Sequence, residues 1–306
     1  MEAAITLLNQ IVKMFLMIAV GYLLGRRKVI VEDTTARLSN ILLMVATPCT
    51  LITSFNQAYS VEKLKGLLVS FALSAFVYVF NIVLASLLWR KNNPTARFCT
   101  IFSNAGFIGI PLVTGVFGIE AVFYLAPFIV CFYLFVWTVG VLLMSGDKRE
   151  VSFHKIITNP CIWAVVLGIV VFLLPVKPPA AVMEAVSTLG GLNTPLAMLV
   201  LGTYLSRTNL LDLFRNKKAY LASFYRLILL PGLLVPVLML LPKGYSQISM
   251  IILIAAAAPV GALAPVFAQM YNHDTSEGAQ TVCLSTLLCI VTMPFILMLS
   301  QWAGIQ

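Results

Sequence analysis

The stretch that decides the fold is FCTIFSNAGFIGIPLVTGVFG, residues 98–118. Its apolar flanks are typical of a membrane helix, but the segment 104–111 contains Gly106, Gly109 and Pro111, which interrupt a helical hydrogen-bond ladder. Lipid cannot satisfy the freed backbone groups, so such a break persists only where protein covers it or where it lines a polar cavity. The stretch therefore predicts a broken helix beside a cavity. A kinked helix packed through its glycines is the alternative.

Beyond the break we expect a second half-helix. Pro111 suits the first turn of a helix, because its missing N–H would have no intrahelical acceptor there. The free N–H groups and the positive dipole end of that half-helix would then point into the gap beside the Asn104 amide. This arrangement favours an anionic guest.

The composition is that of an integral membrane protein. Of the 306 residues, 60% are hydrophobic and 10% are charged, and the mean hydropathy is +0.99. These values leave too little polar surface for a soluble protein of this length. No basic region precedes the first apolar run, and Arg26, Arg27 and Lys28 follow it, so we expect this run to stay in the mature chain as the first span.

Charge and cysteine usage exclude several other classes. The net charge of +9 comes from short basic clusters between apolar runs, which is the distribution expected from the positive-inside rule and not a nucleic-acid-binding surface. The six cysteines lie singly in apolar stretches without a CxxC spacing, and the two histidines lie in separate loops. The sequence thus predicts the lipid bilayer as a partner, with no bound metal, no cofactor and no nucleic acid.

Apolar runs of about 20 residues, the length that crosses a bilayer as a helix, recur along the whole chain. We expect ten spans, at residues 4–25, 37–56, 64–89, 96–118, 119–144, 156–174, 184–206, 219–241, 247–271 and 279–302. The fold class predicted from this count is all-α and membrane-integral.

The basic residues orient these spans, because Lys and Arg are enriched in cytoplasmic loops. The odd loops up to the seventh contain most of them: Arg26, Arg27, Lys28 and Arg37; Arg90, Lys91 and Arg97; Lys148, Arg149 and Lys155; Arg207, Arg215, Lys217 and Lys218. The even loops contain only Lys63, Lys65, Lys177 and Lys243. We therefore expect the odd loops in the cytoplasm and both termini outside, with the ninth loop placed by counting alone.

The polar stretch 145–155 divides the chain into two halves, 1–150 and 151–306, with five spans each. An odd number of spans forces the second half to enter the membrane from the opposite side, as in an inverted repeat. The halves also correspond in sequence. Equivalent positions lie 147 apart for Thr47-Pro48 with Thr194-Pro195 and for Gly21 with Gly168, and 148 apart for Pro111 with Pro259.

The ninth span has the same character as the fourth. AAAAPVGALAPVFAQMYN, residues 255–272, is an apolar helix interrupted by Pro259, Gly261 and Pro265. Two broken helices in equivalent places of two repeats are typical of secondary transporters, where they form the substrate site near the middle of the bilayer. The pattern favours a transport site over the kinked-helix alternative.

The two interrupted stretches resemble those of the auxin efflux carrier family, which includes plant PIN-formed auxin carriers and bacterial organic-acid carriers. Residues 104–112, NAGFIGIPL, followed by Phe117-Gly118, are similar to the family signature Asn-x-x-x-x-Gly-x-Pro-Leu. Residues 261–268, GALAPVFA, with Tyr271-Asn272, resemble its partner near the C-terminus. The similarity in span number and spacing covers the whole chain. The central loop 145–155 is shorter than in many plant carriers, which argues for a bacterial origin and against regulation through that loop.

The resemblance implies two inverted five-helix repeats whose broken fourth and ninth helices cross. It also implies a scaffold of spans 1, 2, 6 and 7, a possible homodimer through helices 2 and 7, and a transport domain that moves as an elevator. Asn104, Pro111, Gly261 and Pro265 correspond to the crossover residues of the family.

Charged residues within the spans are few. The acidic residues fall in loops or at span ends, which argues against an intramembrane carboxylate that couples transport to protons or sodium, although sodium held by backbone carbonyls stays open. These residues are Glu2, Glu32, Asp33, Glu62, Glu120, Asp147, Glu150, Glu184, Asp212, Asp274 and Glu277. Lys13 and Arg226 lie well inside spans. For each, snorkelling or structural pairing competes with substrate attraction.

Several polar and small residues add to the candidate site. Asn193-Thr194-Pro195 and Thr47-Pro48 would bend spans seven and two, which either brings Asn193, Thr194 and Thr47 towards the crossover or only kinks the helices. Gly21 and Gly25 fit close helix packing. The candidate substrate-binding residues are Asn104, Gly106, Gly109, Pro111, Pro259, Gly261, Pro265, Asn193, Thr194 and Thr47.

The function predicted from these features is a multi-pass secondary carrier in a bacterial cytoplasmic membrane for a small organic anion, an auxin-like monocarboxylate or a dicarboxylate. The sequence contains no HExxH, Gly-x-Ser-x-Gly or GxxxxGK[ST] motif, so neither a catalytic residue nor an ATP site is predicted. A channel or membrane sensor is the alternative, and an intramembrane enzyme is a weaker one.

Overall fold

The computed structural model describes residues 2–174, 178–208, 213 and 215–305, and every regular element in these ranges is a helix. The all-α prediction is therefore confirmed for the described part of the chain. Two residues named above lie outside the described residues: Lys177, which was counted among the basic loop residues, and Asp212, one of the acidic residues.

We number the principal helices in chain order. They are α1 Glu2–Arg26, α2 Glu32–Phe55, α3 Val61–Leu88, α4 Pro94–Ile101, α5 Ala105–Phe117, α6 Ile119–Ser145, α7 Phe153–Ile157, α8 Pro160–Leu173, α9 Ala180–Arg207, α10 Lys217–Leu238, α11 Ser246–Ala257, α12 Leu263–Met270 and α13 Thr275–Trp302.

Seven of these helices are long and apolar enough to cross a membrane, namely α1, α2, α3, α6, α9, α10 and α13. An eighth span results if Lys148–Ile157 and α8, which meet at 45°, are counted as one. The two other predicted spans are interrupted: α4 and α5 divide the segment 96–118, and α11 and α12 divide 247–271. The ten-span inverted repeat stays a prediction.

Side-chain caps explain where several helices begin. Ser60 accepts a hydrogen bond from the Lys63 N–H at the start of α3, and Asp274 accepts one from the Ser276 N–H at the start of α13. Asn159 caps α8 in the same way. Each cap satisfies an N–H that has no acceptor inside its helix.

Three helices contain a π turn directly before a proline. The turns 42–46, 105–109 and 225–229 precede Pro48, Pro111 and Pro231. A proline ring inside an α-helix clashes with the carbonyl four residues earlier and offers no N–H. One wider turn removes both conflicts without ending the helix, because the carbonyl in question moves away from the ring.

The odd loops lie at one end of the bundle. His273 Nε2 is 2.7 Å from the Met144 carbonyl oxygen, which holds the ninth loop beside the fifth. The Arg207 guanidinium donates to Thr35 Oγ1 at 2.6 Å, which joins the seventh loop to the first turns of α2. At the opposite end, Gln57 Nε2 donates to the Glu120 carbonyl and joins the second loop to the fourth. The ninth loop thus lies at the same end of the bundle as the fifth.

The helices predicted to form a scaffold contact one another. α1 packs on the second half of α9, where a Cβ added at Gly21 would lie 2.5 Å from the Leu199 carbonyl oxygen. α2 packs on α8, where Gly168 faces the Phe55 ring, and on α9, where Thr50 Oγ1 donates to the Gly190 carbonyl at 2.9 Å. The predicted close packing at Gly21 is confirmed, since any side chain there would collide with backbone.

The two helix breaks meet at the centre of the bundle. The Asn104 N–H donates to the Pro259 carbonyl at 2.7 Å, the Gly261 N–H donates to the Phe102 carbonyl at 2.9 Å, and Ser103 and Val260 form an isolated antiparallel bridge. We call the paired segments 102–104 and 258–262 the crossover. Their mutual hydrogen bonds satisfy backbone groups that lipid could not.

Candidate functional site

A cavity of about 370 Å³ adjoins the crossover. It extends from the breaks to the level of Asn40, Asn159 and Tyr204, near the start of α2, the start of α8 and the end of α9, so it runs towards the end that carries the odd loops. Its walls are formed by Ala36, Ser39, Asn40, Leu43, Met44, Thr47, Ser103, Asn104, Ala105, Gly106, Phe107, Ile129, Phe132, Tyr133, Trp137, Asn159, Pro160, Tyr204, Gly261, Ala262, Leu263 and Val266.

The first helix terminus in the cavity wall is the start of α5. Asn104 is its N-cap: Oδ1 accepts from the Phe107 N–H at 3.2 Å, and the Asn104 carbonyl accepts from the Ile108 N–H at 3.0 Å. The N–H groups of Ala105 and Gly106 have no acceptor inside the helix. A Cβ built on Gly106 would have no atom within 4 Å, so the backbone here borders open space.

The Asn104 side chain has a donor left over. The residue is only 5% exposed, and Nδ2 has no hydrogen-bond partner among the described residues. The orientation of the amide follows from its surroundings, because a backbone N–H at Phe107 requires the oxygen on that side. An unpaired buried amide donor costs about 1–3 kcal/mol. An acceptor within hydrogen-bond distance of Nδ2 would remove this cost.

The second helix terminus in the wall is the start of α12. Its N-cap residue, Ala262, has no side chain that could accept a hydrogen bond, and Gly261, Ala262 and Leu263 all line the cavity. Pro265 is the third residue of α12, a position where a proline removes an N–H that would have no intrahelical partner. Two positive dipole ends therefore border one cavity.

The remaining wall is aromatic and uncharged. Phe107, Phe132, Tyr133, Trp137 and Tyr204 surround the cavity, and its described lining includes no Asp, Glu, Lys, Arg or His. Such a wall suits an apolar molecular body, while the crossover supplies hydrogen-bond donors at one place.

One basic side chain adjoins this wall. Lys155 Nζ lies 4.7 Å from the centroid of the Trp137 ring. In the same loop, Arg149 pairs with Asp147 at 2.8 Å and holds the pKa of that carboxyl below its usual value. Glu150 is the other acidic residue of this loop, and Lys155 is the basic side chain that contacts the wall.

The structure brings some of the predicted site residues together. Thr47, Asn104, Gly106 and Gly261 line the cavity. Gly109, Pro111, Pro259, Pro265, Asn193 and Thr194 do not line it.

The sequence suggested that Pro111 lies in the first turn of the second half-helix, but the helix begins six residues earlier. The helix begins at Ala105, with the π turn 105–109 before the proline. Pro111 instead accepts a hydrogen bond on its carbonyl from Gln10 Nε2 at 3.1 Å, which fixes α5 against α1. Ala105 and Gly106, directly after Asn104, line the cavity at this helix start.

Asn193 is hydrogen-bonded to Thr47. Its Nδ2 donates to Thr47 Oγ1 at 2.8 Å, and both residues are 2% exposed. Of the pair, Thr47 lines the cavity. Spans two and seven are in contact here, and Thr47 is the member of the candidate set Asn193, Thr194 and Thr47 that lies in the wall.

Arg226 does not snorkel. Its side chain is fully buried at the crossover, where the guanidinium donates to backbone carbonyls, and it does not line the cavity. Structural pairing, one of the two predicted roles, accounts for its contacts.

Sequence reasoning missed the aromatic wall. Phe132, Tyr133 and Trp137 lie on α6, an apolar helix in which aromatic residues facing lipid and facing a cavity have the same chemistry. Asn159 and Asn40 were difficult to identify as site residues from the sequence, because polar residues at the ends of spans are common.

Comparison with known proteins identifies the family. Residues 6–297 match the sequence model of a family described as membrane transport protein. The chain is similar to the uncharacterized transporter YfdV of Escherichia coli, with 23% identity over 96% of this chain and 98% of the relative. It is also similar to an uncharacterized transporter of Methanothermobacter thermautotrophicus, with 25% identity over 93% of this chain and 95% of the relative.

These matches span nearly the whole chain and include both helix breaks. Transport is the activity that the family description and the relatives' names share. The resemblance seen in the two interrupted stretches is thus confirmed, and the chain belongs to the membrane transport proteins of the auxin efflux carrier family.

Proposed function

We propose that this membrane transporter is a secondary active or facilitative carrier of a small organic anion. One observation carries the proposal: two helix N-termini and Asn104, whose buried Nδ2 is unpaired among the described residues, border a single cavity whose described lining contains no acidic side chain. Helix N-termini attract anions through free N–H groups and the helix dipole. A carboxylate would accept from the Asn104 amide and from the N–H groups at the start of α5.

The cavity favours a monocarboxylate with an apolar body. A second carboxylate that lies away from the crossover would need a positive partner there, and the described lining has no Lys, Arg or His. The aromatic side chains opposite the crossover provide apolar contact, and a cavity of about 370 Å³ is within the range of small-molecule sites. We infer that the carboxylate lies at the crossover and the apolar body lies against Phe132 and Trp137.

The mechanism that fits this proposal is an elevator. Repeats 1–150 and 151–306 each supply one broken helix, and ten spans in inverted order place both breaks at mid-membrane. α1, α2, α8 and α9 serve as the scaffold, which forms a homodimer through α2 and α9. The crossover moves past the scaffold and carries the anion with it.

The orientation follows from the basic loops. We place the protein in a bacterial cytoplasmic membrane with the odd loops inside and both termini outside. In this orientation the cavity opens towards the cytoplasm. An impermeant thiol reagent on intact spheroplasts tests it: a cysteine at Gln306 should react and one at Ser152 should not. The reverse pattern would overturn the orientation.

Uptake into proteoliposomes tests the function. Labelled monocarboxylates with aromatic or branched bodies should show saturable flux, and dicarboxylates of similar size should compete poorly. Current that does not saturate would indicate a channel, chemical change of the solute would indicate an enzyme, and binding without flux would indicate a sensor. Preference for dicarboxylates would overturn the assignment of the substrate class but not of the carrier.

A further inference from the structure

Arg226 is held by four backbone carbonyls. Its Nε donates to Ala258 O at 3.2 Å, Nη1 donates to Thr100 O at 3.2 Å and Ile101 O at 3.1 Å, and Nη2 donates to Ala256 O. The side chain is fully buried in the π turn of α10. Arg226 forms no ion pair with a carboxylate among the described residues.

These carbonyls belong to two helix C-termini. Thr100 and Ile101 end α4, and Ala256 and Ala258 lie at the end of α11. The last carbonyls of a helix have no intrahelical donor, and they carry the negative end of the helix dipole. Two such ends facing one point in a buried environment attract a cation.

Such a place is where carriers with broken helices hold a coupling ion. In secondary transporters, half-helix C-termini and unwound carbonyls coordinate sodium, while half-helix N-termini face the anionic substrate. Here the guanidinium of Arg226 fills the position between the two C-termini.

We propose that Arg226 is a tethered cation, which permanently occupies a monovalent-cation site formed by the carbonyls of residues 100, 101, 256 and 258. The ligand class of the underlying site is a small monovalent cation, guanidinium or sodium. A tethered cation cannot dissociate during a transport cycle, so anion transport requires no sodium gradient. This last consequence rests on the proposed function, whereas the existence of the site does not.

Removing the side chain should expose the site. In Arg226→Ala the four carbonyls lose their donors, so the unfolding temperature in detergent should fall. Guanidinium at low millimolar concentration should then raise the unfolding temperature of this variant saturably, and sodium should do so less, because it provides no planar set of donors. Choline at equal ionic strength is the negative control, since it is too large and donates no N–H.

A matched variant separates this effect from general effects of guanidinium. Arg97→Ala removes a guanidinium that donates to Ser86 Oγ on an exposed helix face, and it should show no stabilisation by guanidinium. Wild-type protein should show none either, because its site is full. Equal stabilisation of Arg226→Ala and Arg97→Ala would overturn the proposal, as would no response of Arg226→Ala to any cation.

If Arg226→Ala does not fold, two further variants decide the matter. Arg226→Lys retains the charge and Arg226→Met removes it at similar length, so a cation site predicts a higher unfolding temperature for the lysine variant. No difference between them would overturn the proposal. These measurements need no anion substrate, so they stand apart from the transport assay.

The transport consequence is tested on wild-type protein. Replacing sodium by choline on both sides of proteoliposomes should leave the rate of anion uptake unchanged. A fall in the rate would show that an exchangeable sodium ion is needed elsewhere, and it would overturn the claim that the tethered cation replaces it.

Discussion

The crossover has two sides that differ in how their helix ends are satisfied. On the carbonyl side, Arg226 donates to four carbonyls at the C-termini of α4 and α11, so these carbonyls are satisfied by a side chain of the protein. On the amide side, the N-termini of α5 and α12 face a cavity, and Asn104 Nδ2 has no partner among the described residues. At the broken helices, the C-terminal carbonyls are hydrogen-bonded within the protein, whereas the helix N-termini border the cavity. A ligand therefore gains more binding free energy on the amide side than on the carbonyl side.

Asn104→Asp should produce the largest change on the amide side. The remaining carboxylate oxygen can still cap α5, where a negative charge at an N-terminus is favourable. The other oxygen replaces the free donor with a charge that repels an anion, so transport should fall by about a hundredfold or more. Stability should stay near that of the wild type, as measured by unfolding temperature.

Asn216→Asp is the matched control for this variant. Asn216 caps α10 through Oδ1 and lies away from the cavity, so transport should be retained. Full anion transport by a well-folded Asn104→Asp protein would remove Asn104 from the site.

Asn104→Ala should have a smaller effect on transport and a larger one on stability. Loss of one hydrogen bond to a carboxylate, worth about 1.5–3 kcal/mol, predicts an apparent affinity about ten- to a hundredfold weaker. Loss of the cap predicts about 1 kcal/mol of destabilisation. Ser60→Ala, which removes the cap of α3, should show a similar stability loss with unchanged transport. If Asn104→Ala left transport unchanged, as is expected of Ser60→Ala, Asn104 would be only a helix cap.

Lys155→Gln should alter transport modestly. A positive charge beside the cavity raises the local anion concentration, and its removal should raise KM by about two- to fivefold at low ionic strength. The effect should vanish at high salt, because exposed charges are screened. Lys243→Gln, at the opposite end of the bundle, is the control. An effect that persists at high salt would instead indicate direct contact with the substrate.

Replacing a carboxylate should have the smallest effect. Glu277 is paired with Lys218 at 3.9 Å near the odd loops, and its side chain is 17% exposed. Glu277→Gln should leave gradient-driven transport unchanged and cost at most about 1 kcal/mol of stability. Loss of coupling in a folded variant would show that the carbonyl side is not the only place for a cation.

The sequence was informative about the breaks and poor about what surrounds them. Glycines and prolines in spans four and nine were sufficient to predict both interruptions, because each span has three of them within a few residues of one another. The start of α5 at Ala105 was missed, since nothing local indicates that a π turn will let Pro111 lie within the helix. Arg226 was recognised as buried charge, but its acceptors are backbone carbonyls, which every residue has. Partners of that kind depend on tertiary structure alone.

The bond between Asn104 and Pro259 and the bonds of Arg226 also set the order of biogenesis. Arg226 donates to carbonyls that lie 125 and 126 positions earlier in the chain. The end of α4 is therefore synthesised long before Arg226. Until Arg226 is present, the carbonyls of Thr100 and Ile101 need other donors, such as water, lipid headgroups or the insertion machinery. The N-terminal half cannot form these hydrogen bonds by itself, so the crossover is completed only when the second half is present.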